Sequence, residues 1–445
     1  MYNSYYFAKD TGKTLLDAMR ERNLSIPAPC SGKGSCGKCR VKTAELGDVL
    51  ACQTPLKQAL TVLFDSSETQ FPSLKGCEDV AIDIGTTTIS IRYKDAEGKA
   101  QTASRLNAQR SFGADVISRI RFASQGKNEL DMLKTALLSQ FEGLDARNIA
   151  IAGNTVMELI ASGQSPCSIG SAPYLPVDKL GKVANFIGNS KAYFAPCVSG
   201  FVGGDITAGL LASGILEEAS PALFIDLGTN GEMVLFDGHD FLACSTAAGP
   251  VFEGAHISCG SGGIEGGISR AQIEADGQIK YSVIGGGKAK SLCGSGLLDI
   301  IAILLSRGKI DENGHLDGRS FSLSENVQLI QQDVIEFLLG KAAIAAGIRV
   351  LLKEMGMAQA ALKRIVLTGG FGLYLDKENA KITGLLPRDF GGKITVIPDC
   401  AGEGAALLLK PENRLKCEAL AKRISYLELA ECGFFEEAYV DEMSF

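Results

Sequence analysis

The sequence predicts an α/β main domain made of two related lobes, preceded by a small α+β domain. A buried strand, an aspartate, a turn rich in Gly and Thr, and a second strand occur at residues 79–95 and again at 221–238, which indicates a repeated supersecondary unit. Helical stretches separate the other strands at intervals that suit α/β layers. The small domain is indicated by four cysteines within residues 30–52, three of them in a glycine-rich loop.

These patterns divide the chain into parts. The expected boundaries are 1–62 for the small domain, 63–77 for a linker without clear periodicity, 78–412 for the main domain and 413–445 for a C-terminal extension. Within the main domain, the first lobe should occupy about 78–215 and the second about 220–410.

Composition limits the kinds of function. Of the 445 residues, 46% are hydrophobic and 21% are charged, as is usual for globular proteins. No apolar run approaches the roughly eighteen residues of a membrane span, and the N-terminus lacks the pattern of a signal peptide. A net charge of −7 without basic clusters argues against a nucleic-acid partner. Thirteen cysteines are few for a disulfide scaffold of this length, so we expect a cytoplasmic protein. From the apolar runs and the charge, we expect that it binds neither membranes nor nucleic acid.

The cysteine loop CSGKGSCGKC predicts an iron-sulfur site. Cys30, Cys36, Cys39 and Cys52 have the spacing C-x5-C-x2-C-x12-C, and thiolates are the usual ligands of such clusters. Glycines in the loop would let the backbone wrap an inorganic cluster and turn its N–H groups toward the sulfides. These glycines are Gly32, Gly34 and Gly37. A zinc site is the alternative, although zinc favours two close pairs of ligands and only one C-x2-C occurs here, with no histidine nearby.

Residues 1–62 resemble the 2Fe-2S ferredoxin domain of the plant and adrenodoxin type, which has a β-grasp fold. The resemblance rests on the loop, on a strand, turn and helix in TGKTLLDAMRERNLSIPAPC, and on a strand at LACQT that carries the fourth cysteine. The segment between Cys39 and Cys52 is shorter than usual in that family, so we expect a helix to be trimmed there. Basic residues beside the loop either steer an acidic partner or form an ordinary solvated face. They are Lys33, Lys38, Arg40 and Lys42.

The main domain contains three glycine turns that follow predicted buried strands. Each alone is typical of an ordinary tight connection, but their order resembles the phosphate 1, phosphate 2 and adenosine motifs of the superfamily of acetate and sugar kinases, heat-shock chaperones and actin. The resemblance spans about residues 78–410 and implies two ribonuclease H-like lobes that bind ATP from both sides. The implied nucleotide-binding residues are Gly85, Thr86, Thr87 and Thr88; Gly228, Thr229, Asn230 and Gly231; and Gly369, Gly370 and Gly372.

Carboxylates beside these turns are the candidate catalytic residues. Asp83 and Asp226 suit a hydrated Mg2+ held through water molecules, because Mg2+ takes few protein ligands. Asp205, at the expected start of a helix, either caps that helix or orients an attacking water. Glu232 follows the second phosphate turn and is a weaker candidate for the same role, since it could equally be a strand-edge carboxylate without a role.

Two further candidates lie on helices. Gly294 and Ser295 open a helix whose N-terminus could bind another anion. Lys341 lies on a long helix expected from Gln332 to about Met357, and we expect that it can approach the nucleotide.

The pairing of a 2Fe-2S domain with such an ATPase resembles the reductive activators of corrinoid-dependent proteins. Stretches that match this family lie along nearly the whole main domain: NAQRSFGADVISRI, AGNTVMELI, APYLP, FVGGD, DLGTNGE and CGSGLLD. The resemblance implies ATP-dependent transfer of one electron from the cluster to a cob(II) corrinoid in a partner protein of a methyltransferase system, which restores cob(I). The resemblance also implies an upstream electron donor and allows a homodimer. Typical members carry a longer linker and a middle domain, so we expect a short form that lacks this domain.

Two other classes of function stay open. An ATP-coupled low-potential donor to a non-corrinoid enzyme would use the same residues, because the acceptor is not encoded in this chain. An actin- or chaperone-like ATP switch with a structural or redox-sensing cluster is the non-redox alternative, and a small-molecule kinase is a remoter version of it.

Overall fold

The structure, a computed structural model, describes residues 3–28, 30–64, 70–95, 97–372 and 374–445. The described residues form two compact units. The first contains the chain up to Ala212 together with Ala401–Lys422, and the second contains Ser213–Cys400 with Arg423–Phe445. None of the helices in these ranges combines the length and the hydropathy that a transmembrane segment needs.

The first unit begins with the small cysteine-rich domain, which has the expected β-grasp architecture. Its elements are β1 (Asn3–Phe7), β2 (Asp10–Thr14), α1 (Leu15–Glu21), β3 (Arg40–Thr43), β4 (Gly47–Leu50), β5 (Pro55–Leu56) and β6 (Leu60–Phe64). A sheet of order β1-β6-β3-β4 and the pair β2-β5 surround α1. Thr14 and Asp17 form a capping box at the start of α1, which satisfies two backbone N–H groups. The buried face of the helix, at Leu15, Leu16 and Met19, then joins the domain core.

Two details differ from the sequence prediction. Cys52 lies on a 3-10 turn, Ala51–Gln53, and not on a strand, because the tight hairpin of β3 and β4 already fills the space between Cys39 and Cys52. The linker predicted at 63–77 is shorter at both ends, since β6 runs to Phe64 and the next strand begins at Lys75. Residues 65–69, in the middle of that linker, lie outside the described residues.

The rest of the first unit is built on a six-stranded sheet. Its elements are β7 (Lys75–Ile84), β8 (Thr88–Lys94), β9 (Ala100–Leu106), α2 (Val116–Ala123), α3 (Lys127–Leu138), β10 (Asp145–Gly153), α4 (Thr155–Ser162), β11 (Leu180–Asn185), β12 (Lys191–Pro196) and α5 (Gly204–Ala212). The strand order is β11-β12-β10-β7-β8-β9. The neighbours β7, β8 and β9 are antiparallel, whereas β10 runs parallel to β7 and β12 runs parallel to β10.

The second unit contains a sheet with the same core arrangement. The strands after the first lobe are β13 (Ala222–Leu227), β14 (Gly231–Phe236), β15 (Phe241–Thr246), β16 (Gly267–Ile273), β17 (Ile279–Val283), β18 (Ser291–Leu292), β19 (Ser320–Ser322), β20 (Gln328–Ile330), β21 (Arg364–Thr368), β22 (Lys393–Val396) and β23 (Ile424–Tyr426). In the order β22-β21-β13-β14-β15-β23, β13 to β15 form an antiparallel meander and β21 and β22 continue parallel to β13. The repeated ribonuclease H-like order confirms the prediction of two related lobes.

Helices complete both units. Those after the first lobe are α6 (Gly294–Ser306), α7 (Gln331–Glu354), α8 (Gly369–Gly372), α9 (Lys377–Ile382), α10 (Cys400–Leu407), α11 (Pro411–Arg423) and α12 (Gly433–Asp441). Nearly all of α10 and α11 packs with the first unit, where Ala405, Leu408 and Cys417 join Ala81 and Ala150 in one buried cluster. The first unit is therefore assembled from two separate stretches of chain.

In the second unit, the end of β21 lies against the turn that follows β13. Gly369 comes directly after β21 and has a φ of +86°. A Cβ at this position would lie 2.3 Å from Oδ1 of Asp226 and 2.4 Å from the carbonyl oxygen of Leu227. Both the backbone conformation and the available space therefore require glycine. The next residue, Gly370, has open space where a Cβ would stand.

We expect Gly369→Ala to lower the free energy of unfolding by about 2 kcal/mol or more, because the methyl group adds left-handed strain and meets two oxygen atoms. Gly370→Ala is the matched control and should change this free energy by less than about 0.5 kcal/mol. Urea denaturation followed by circular dichroism measures both variants. Equal stabilities would contradict the close approach.

Candidate iron-sulfur and nucleotide sites

The four cysteines of the small domain come together as two pairs of sulfur atoms. The Sγ atoms of Cys30 and Cys36 are 3.3 Å apart, and those of Cys39 and Cys52 are 3.2 Å apart. All four are free thiols. In the described part of the chain, no three or more His, Cys, Asp or Glu side chains converge on a single metal position. Two pairs of thiols fit a two-iron cluster, with a pair for each iron, better than they fit one zinc ion.

The loop backbone is shaped around these sulfurs. Gly32, Gly34 and Gly37 all have positive φ, from +65° to +92°, as the sequence analysis expected of a tight loop. Burial raises the pKa of Cys30, but hydrogen bonds from Cys36 and from the backbone N–H groups of Gly32 and the residues near it outweigh burial and lower this pKa to about 6.

Cys52 differs from Cys30. Its burial, together with the neighbouring thiol of Cys39, raises the pKa of Cys52 to about 11. Four close thiolates repel one another, so ligation by all four depends on the positive charge of bound iron. The donor set therefore fits an iron-sulfur group.

The first phosphate motif forms the turn between β7 and β8. Asp83 is the penultimate residue of β7, Gly85 to Thr87 make the turn, and Thr88 begins β8. The carbonyl oxygens of the three turn residues accept hydrogen bonds from the interior. Asn107 donates from Nδ2 to Gly85 O and from its backbone N–H to Thr87 O, both at 2.9 Å. Arg119 donates from Nη2 to Thr86 O at 2.7 Å.

Arg119 is completely buried behind this turn. Its other hydrogen-bond partners are neutral: Gly113 O, Oε1 of Gln109 and Sδ of Met157. Burial lowers the pKa of Arg119 to about 9, although the charge of Asp115 opposes this. A buried cation held by neutral groups is costly, and an anion bound at the turn would offset that cost. The guanidinium therefore adds positive potential to the first phosphate motif.

Three carboxylates interact near the same turn: Asp83, Glu158 and Asp205. Glu158 is fully buried, and its Oε2 accepts a hydrogen bond from the Cys197 thiol at 3.0 Å. Burial, with the added charges of Asp205 and Asp83, raises the pKa of Glu158 well above its usual range. Oε1 of Glu158 has no hydrogen-bond partner among the described residues. The site thus holds one carboxyl that favours the protonated form, at Glu158, beside Asp83 and Asp205.

Asp205 lies inside the first turn of α5 rather than at its N-cap. The helix begins at Gly204, and Oδ1 of Asp205 accepts the backbone N–H of Ile206 at 2.8 Å. Burial raises the pKa of Asp205 to about 6. Its carboxylate is therefore poorly solvated and basic for an aspartate, which suits a group that holds a water molecule.

The second phosphate motif, in the second unit, forms the turn between β13 and β14. Asp226 is the penultimate residue of β13 and lies opposite Glu232 on β14. Within the turn, Gly228 N donates to Asn230 O at 3.1 Å. Gly231 begins β14. The hydroxyl of Thr229 donates to Oε1 of Glu253 at 2.9 Å, and Glu232 accepts from Oγ of Ser245 at 3.2 Å. Gly369 touches this turn, whereas Gly370 and Gly372 lie beyond it in the short helix α8.

The remaining candidates are engaged by the fold. A Cβ on Gly294 would lie 1.9 Å from Phe252 O, and Ser295 donates to Ser269 O at 2.8 Å and is 6% exposed. Packing thus explains both small residues without an anion. Lys341 is also buried, and it donates to the C-terminal segment at Glu442 O and Ser444 O, each at 2.8 Å. Its ammonium group is therefore occupied by this segment, and the approach of Lys341 to the nucleotide stays a prediction.

We expect Asp205→Asn to stabilise the nucleotide-free protein at neutral pH. The folded-state pKa of Asp205 lies above its usual 3.8, so the folded state binds its proton more tightly than the unfolded state does. The wild-type protein then loses stability as the pH rises from about 4 to about 6, and above that window the full penalty applies. The variant should gain up to about 3 kcal/mol at pH 7.5 and nothing at pH 4. Thermal unfolding across this pH range measures the difference, and a gain that is independent of pH would contradict the assignment.

Comparison with known families agrees with this geometry. Residues 4–57 match the 2Fe-2S iron-sulfur cluster binding domain, residues 79–218 match the RACo middle region, and residues 220–445 match the C-terminal domain of RACo, the ASKHA domain. These matches confirm the iron-sulfur domain and the nucleotide-binding superfamily. The expectation of a short form without the middle domain was wrong, because the first lobe itself matches the middle region. In the sequence, the motifs of residues 79–218 were interpreted as the first lobe of the ATPase, and they did not reveal that this lobe is the middle region.

Individual relatives give the same result. The chain is 33% identical to the corrinoid activation enzyme RamQ of Eubacterium limosum, over 81% of this chain and 69% of that protein. It is 26% identical to the [Co(II) methylated amine-specific corrinoid protein] reductase of Methanosarcina barkeri, over 69% of this chain and 61% of the relative. A solved structure titled reductive activator for corrinoid, iron-sulfur protein shares the fold, with a TM-score of 0.73, 24% identity, and coverage of 99% of this chain and 96% of that one. This protein therefore belongs to the RACo family, in which a 2Fe-2S domain precedes a middle region and an ASKHA domain.

Proposed function

We propose that this protein uses ATP to drive the one-electron reduction of a corrinoid protein, from the cob(II) to the cob(I) form of its cofactor. The observation that carries the proposal is the presence, in one compact unit, of four paired thiols and a phosphate turn whose carbonyl oxygens are held by buried donors. Relatives named as a corrinoid activation enzyme and a corrinoid protein reductase support the choice of acceptor.

The energetics explain why such a reaction would need a nucleotide. When bound, a 2Fe-2S cluster of the plant type supplies one electron at about −400 mV. Each 100 mV by which an acceptor lies below the donor costs about 2.3 kcal/mol for one electron. ATP binding and hydrolysis can offset a shortfall of a few such steps by favouring one conformation of the complex over another. No phosphorylated product is needed.

Each motif has a proposed role in ATP binding and hydrolysis. In each unit the Gly/Thr turn donates backbone N–H groups to phosphate oxygens, and Asp83 and Asp226 hold hydrated Mg2+ through water. Asp205 positions the attacking water, and Glu232 has a lesser part. The glycines after β21 allow the adenosine to lie close to the backbone. Burial of Arg119 behind the first turn supports the phosphate assignment there.

The cluster domain has features that suit an electron-transfer partner. The basic residues beside its loop are all exposed: Lys33, Lys38, Arg40 and Lys42. Such a surface can guide an acidic corrinoid protein to the point where the electron leaves. We further propose that the partner belongs to a methyltransferase system, that a separate low-potential donor reduces the cluster, and that the protein works in the cytoplasm, which the thirteen free cysteines support. A homodimer is compatible with these roles.

The direct test mixes the reduced protein with a cob(II) corrinoid protein and follows the absorption band of cob(I). We expect the band to grow with Mg-ATP and to stay at background without nucleotide. Cob(I) that forms equally well without ATP would overturn the coupling. ATP hydrolysis that is stimulated by reduced cluster but gives no cob(I) with any corrinoid protein would point to a non-corrinoid acceptor.

Cys39→Ser separates electron transfer from a structural role of the cluster. We expect this variant to lose cob(I) formation and to keep ATP hydrolysis within about twofold, because the thiolate ligates iron and lies outside the nucleotide motifs. The rate of phosphate release and the cob(I) band report the two activities. Loss of both activities would favour an ATP switch with a structural cluster.

Asp83→Asn tests the first phosphate motif. We expect ATP hydrolysis to fall by about 100-fold or more, since the carboxylate helps to hold the metal ion at the phosphates, while the cluster stays reducible by dithionite. Asp79→Asn is the matched control on the same strand, where the carboxylate instead contacts Asn148 at 2.9 Å. A similar loss in both variants would show a general effect on the strand and not a site at Asp83.

A further inference from the structure

The cluster domain and the first lobe meet through a buried polar interface. Ser25 Oγ donates to Ala108 O at 2.8 Å, and Ser31 Oγ, beside the first cysteine ligand, donates to Phe112 O at 2.6 Å. The backbone N–H of Ala28 donates to Arg110 O at 3.1 Å. One short stretch of the lobe, residues 107–112, thus accepts several hydrogen bonds from the cluster domain.

Arg20 is the buried charged residue that the cluster domain contributes to this interface. It lies on α1, is 7% exposed, and donates from Nε to Ser111 O at 2.9 Å and from Nη2 to the same oxygen. Its guanidinium lies 5.0 Å from the ring centre of Phe112. It also interacts electrostatically with Cys52, Cys30 and Cys39. One buried cation therefore acts on the cluster ligands while it is held by the lobe.

The other side of the stretch 107–112 holds the phosphate turn. Asn107 binds Gly85 O and Thr87 O, and it also caps the 3-10 turn Ala108–Ser111 by accepting the N–H of Gln109 at 2.9 Å. Gln109 in turn accepts from Arg119, which binds Thr86 O.

The stretch can transmit a displacement because it is short and buried. Asn107 and Gln109 are 0% exposed and Ser111 is 1% exposed, and packed interiors of this kind shift between discrete arrangements rather than deform gradually. An anion at the turn attracts the buried guanidinium of Arg119, which is tied to the stretch through Gln109 and Gly113. Movement of the stretch toward the turn would carry Ser111 with it.

We propose that Arg20 is the positioning residue that couples the nucleotide to the cluster: phosphate binding at the turn 85–88 draws Ser111 and Arg20 away from the cysteine sulfurs. This inference rests on the proposed function, since it assumes ATP at that turn and a cluster at those thiols. A nearby positive charge favours the reduced cluster, which carries one more electron. Its withdrawal favours the oxidised cluster and makes the reduced protein a stronger donor. Because coupling is reciprocal, reduction weakens nucleotide binding by the same factor.

The test measures the ratio of reduced to oxidised cluster at a fixed solution potential. The holoprotein is equilibrated with dithionite and redox dyes, with and without a non-hydrolysable ATP analogue and Mg2+, and the reduced cluster is counted by paramagnetic resonance. In the wild-type protein, the analogue should lower the ratio by about threefold or more. Calorimetry on the oxidised and reduced protein should give the same factor in nucleotide affinity.

Variants of Arg20 separate its charge from its hydrogen bonds. Arg20→Gln should lower the ratio without nucleotide and abolish the effect of the analogue. Arg20→Lys keeps the charge but not the paired N–H groups. Without nucleotide it should therefore have the wild-type ratio of reduced to oxidised cluster, and the ATP analogue should no longer change that ratio. Arg22→Gln is the matched control, because Arg22 contacts Phe7 and Tyr6 O of the cluster domain itself. It should leave the effect intact.

Each outcome decides between the alternatives. If the analogue binds the wild-type protein and the ratio does not change, or rises, the coupling is overturned. If the analogue does not bind at all, the proposed function fails and this inference fails with it. Should Arg20→Gln not fold or not retain its cluster, the double variant Ser25→Ala, Ser31→Ala replaces it. That variant removes two interface hydrogen bonds without changing charge, and an unchanged nucleotide effect in it would also overturn the proposal.

Discussion

The hydrogen bonds behind the turn between β7 and β8 are the constraint on which the first unit depends. Three consecutive carbonyl oxygens there accept from Asn107 and Arg119, so the turn is held in shape before any ligand arrives. Preorganised dipoles of this kind are effective because no binding energy is spent on arranging them. Asn107 begins the segment that meets the cluster domain, and Arg119 is linked to that segment through Gln109. The buried contacts of residues 107–112 thus hold the nucleotide motif on one side and position the thiol loop on the other.

The two units use one strand order but restrain their turns differently. In the first unit, the turn is held by hydrogen bonds from the guanidinium of Arg119 and the amide of Asn107. In the second unit, the turn is held by the close approach of the backbone at Gly369 and by the hydrogen bond from Thr229 to Glu253. The repeated fold therefore has distinct electrostatic surroundings in its two copies. Arg119 gives the first turn a buried positive charge, whereas the second turn lies beside Glu253.

Periodic and local features were predictable from the sequence. The repeated strand-turn-strand pattern, the two related lobes and the iron-sulfur domain all depend on short-range spacing. The pairing of the four cysteines, by contrast, is visible only in the structure. Asn107, Arg119 and Glu158 were missed as site residues, although their motifs were recognised, because their partners are distant in the chain. From the sequence alone, a buried arginine such as Arg119 cannot be told apart from an arginine on the exposed face of a helix. The contacts of Arg20 and Ser25 with the first lobe leave no periodic signal at all.

The discontinuous make-up of the first unit has a consequence for its biosynthesis. Ala405, Leu408 and Cys417 fill the same apolar cluster as Ala81 and Ala150, yet Ala150 and Ala405 are 255 positions apart in the chain. A nascent chain on the ribosome cannot close that cluster until α10 and α11 have left the exit tunnel. The thiol loop, by contrast, emerges first. The order of synthesis therefore allows iron and sulfide to be inserted before the lobe that later holds the cluster domain has matured.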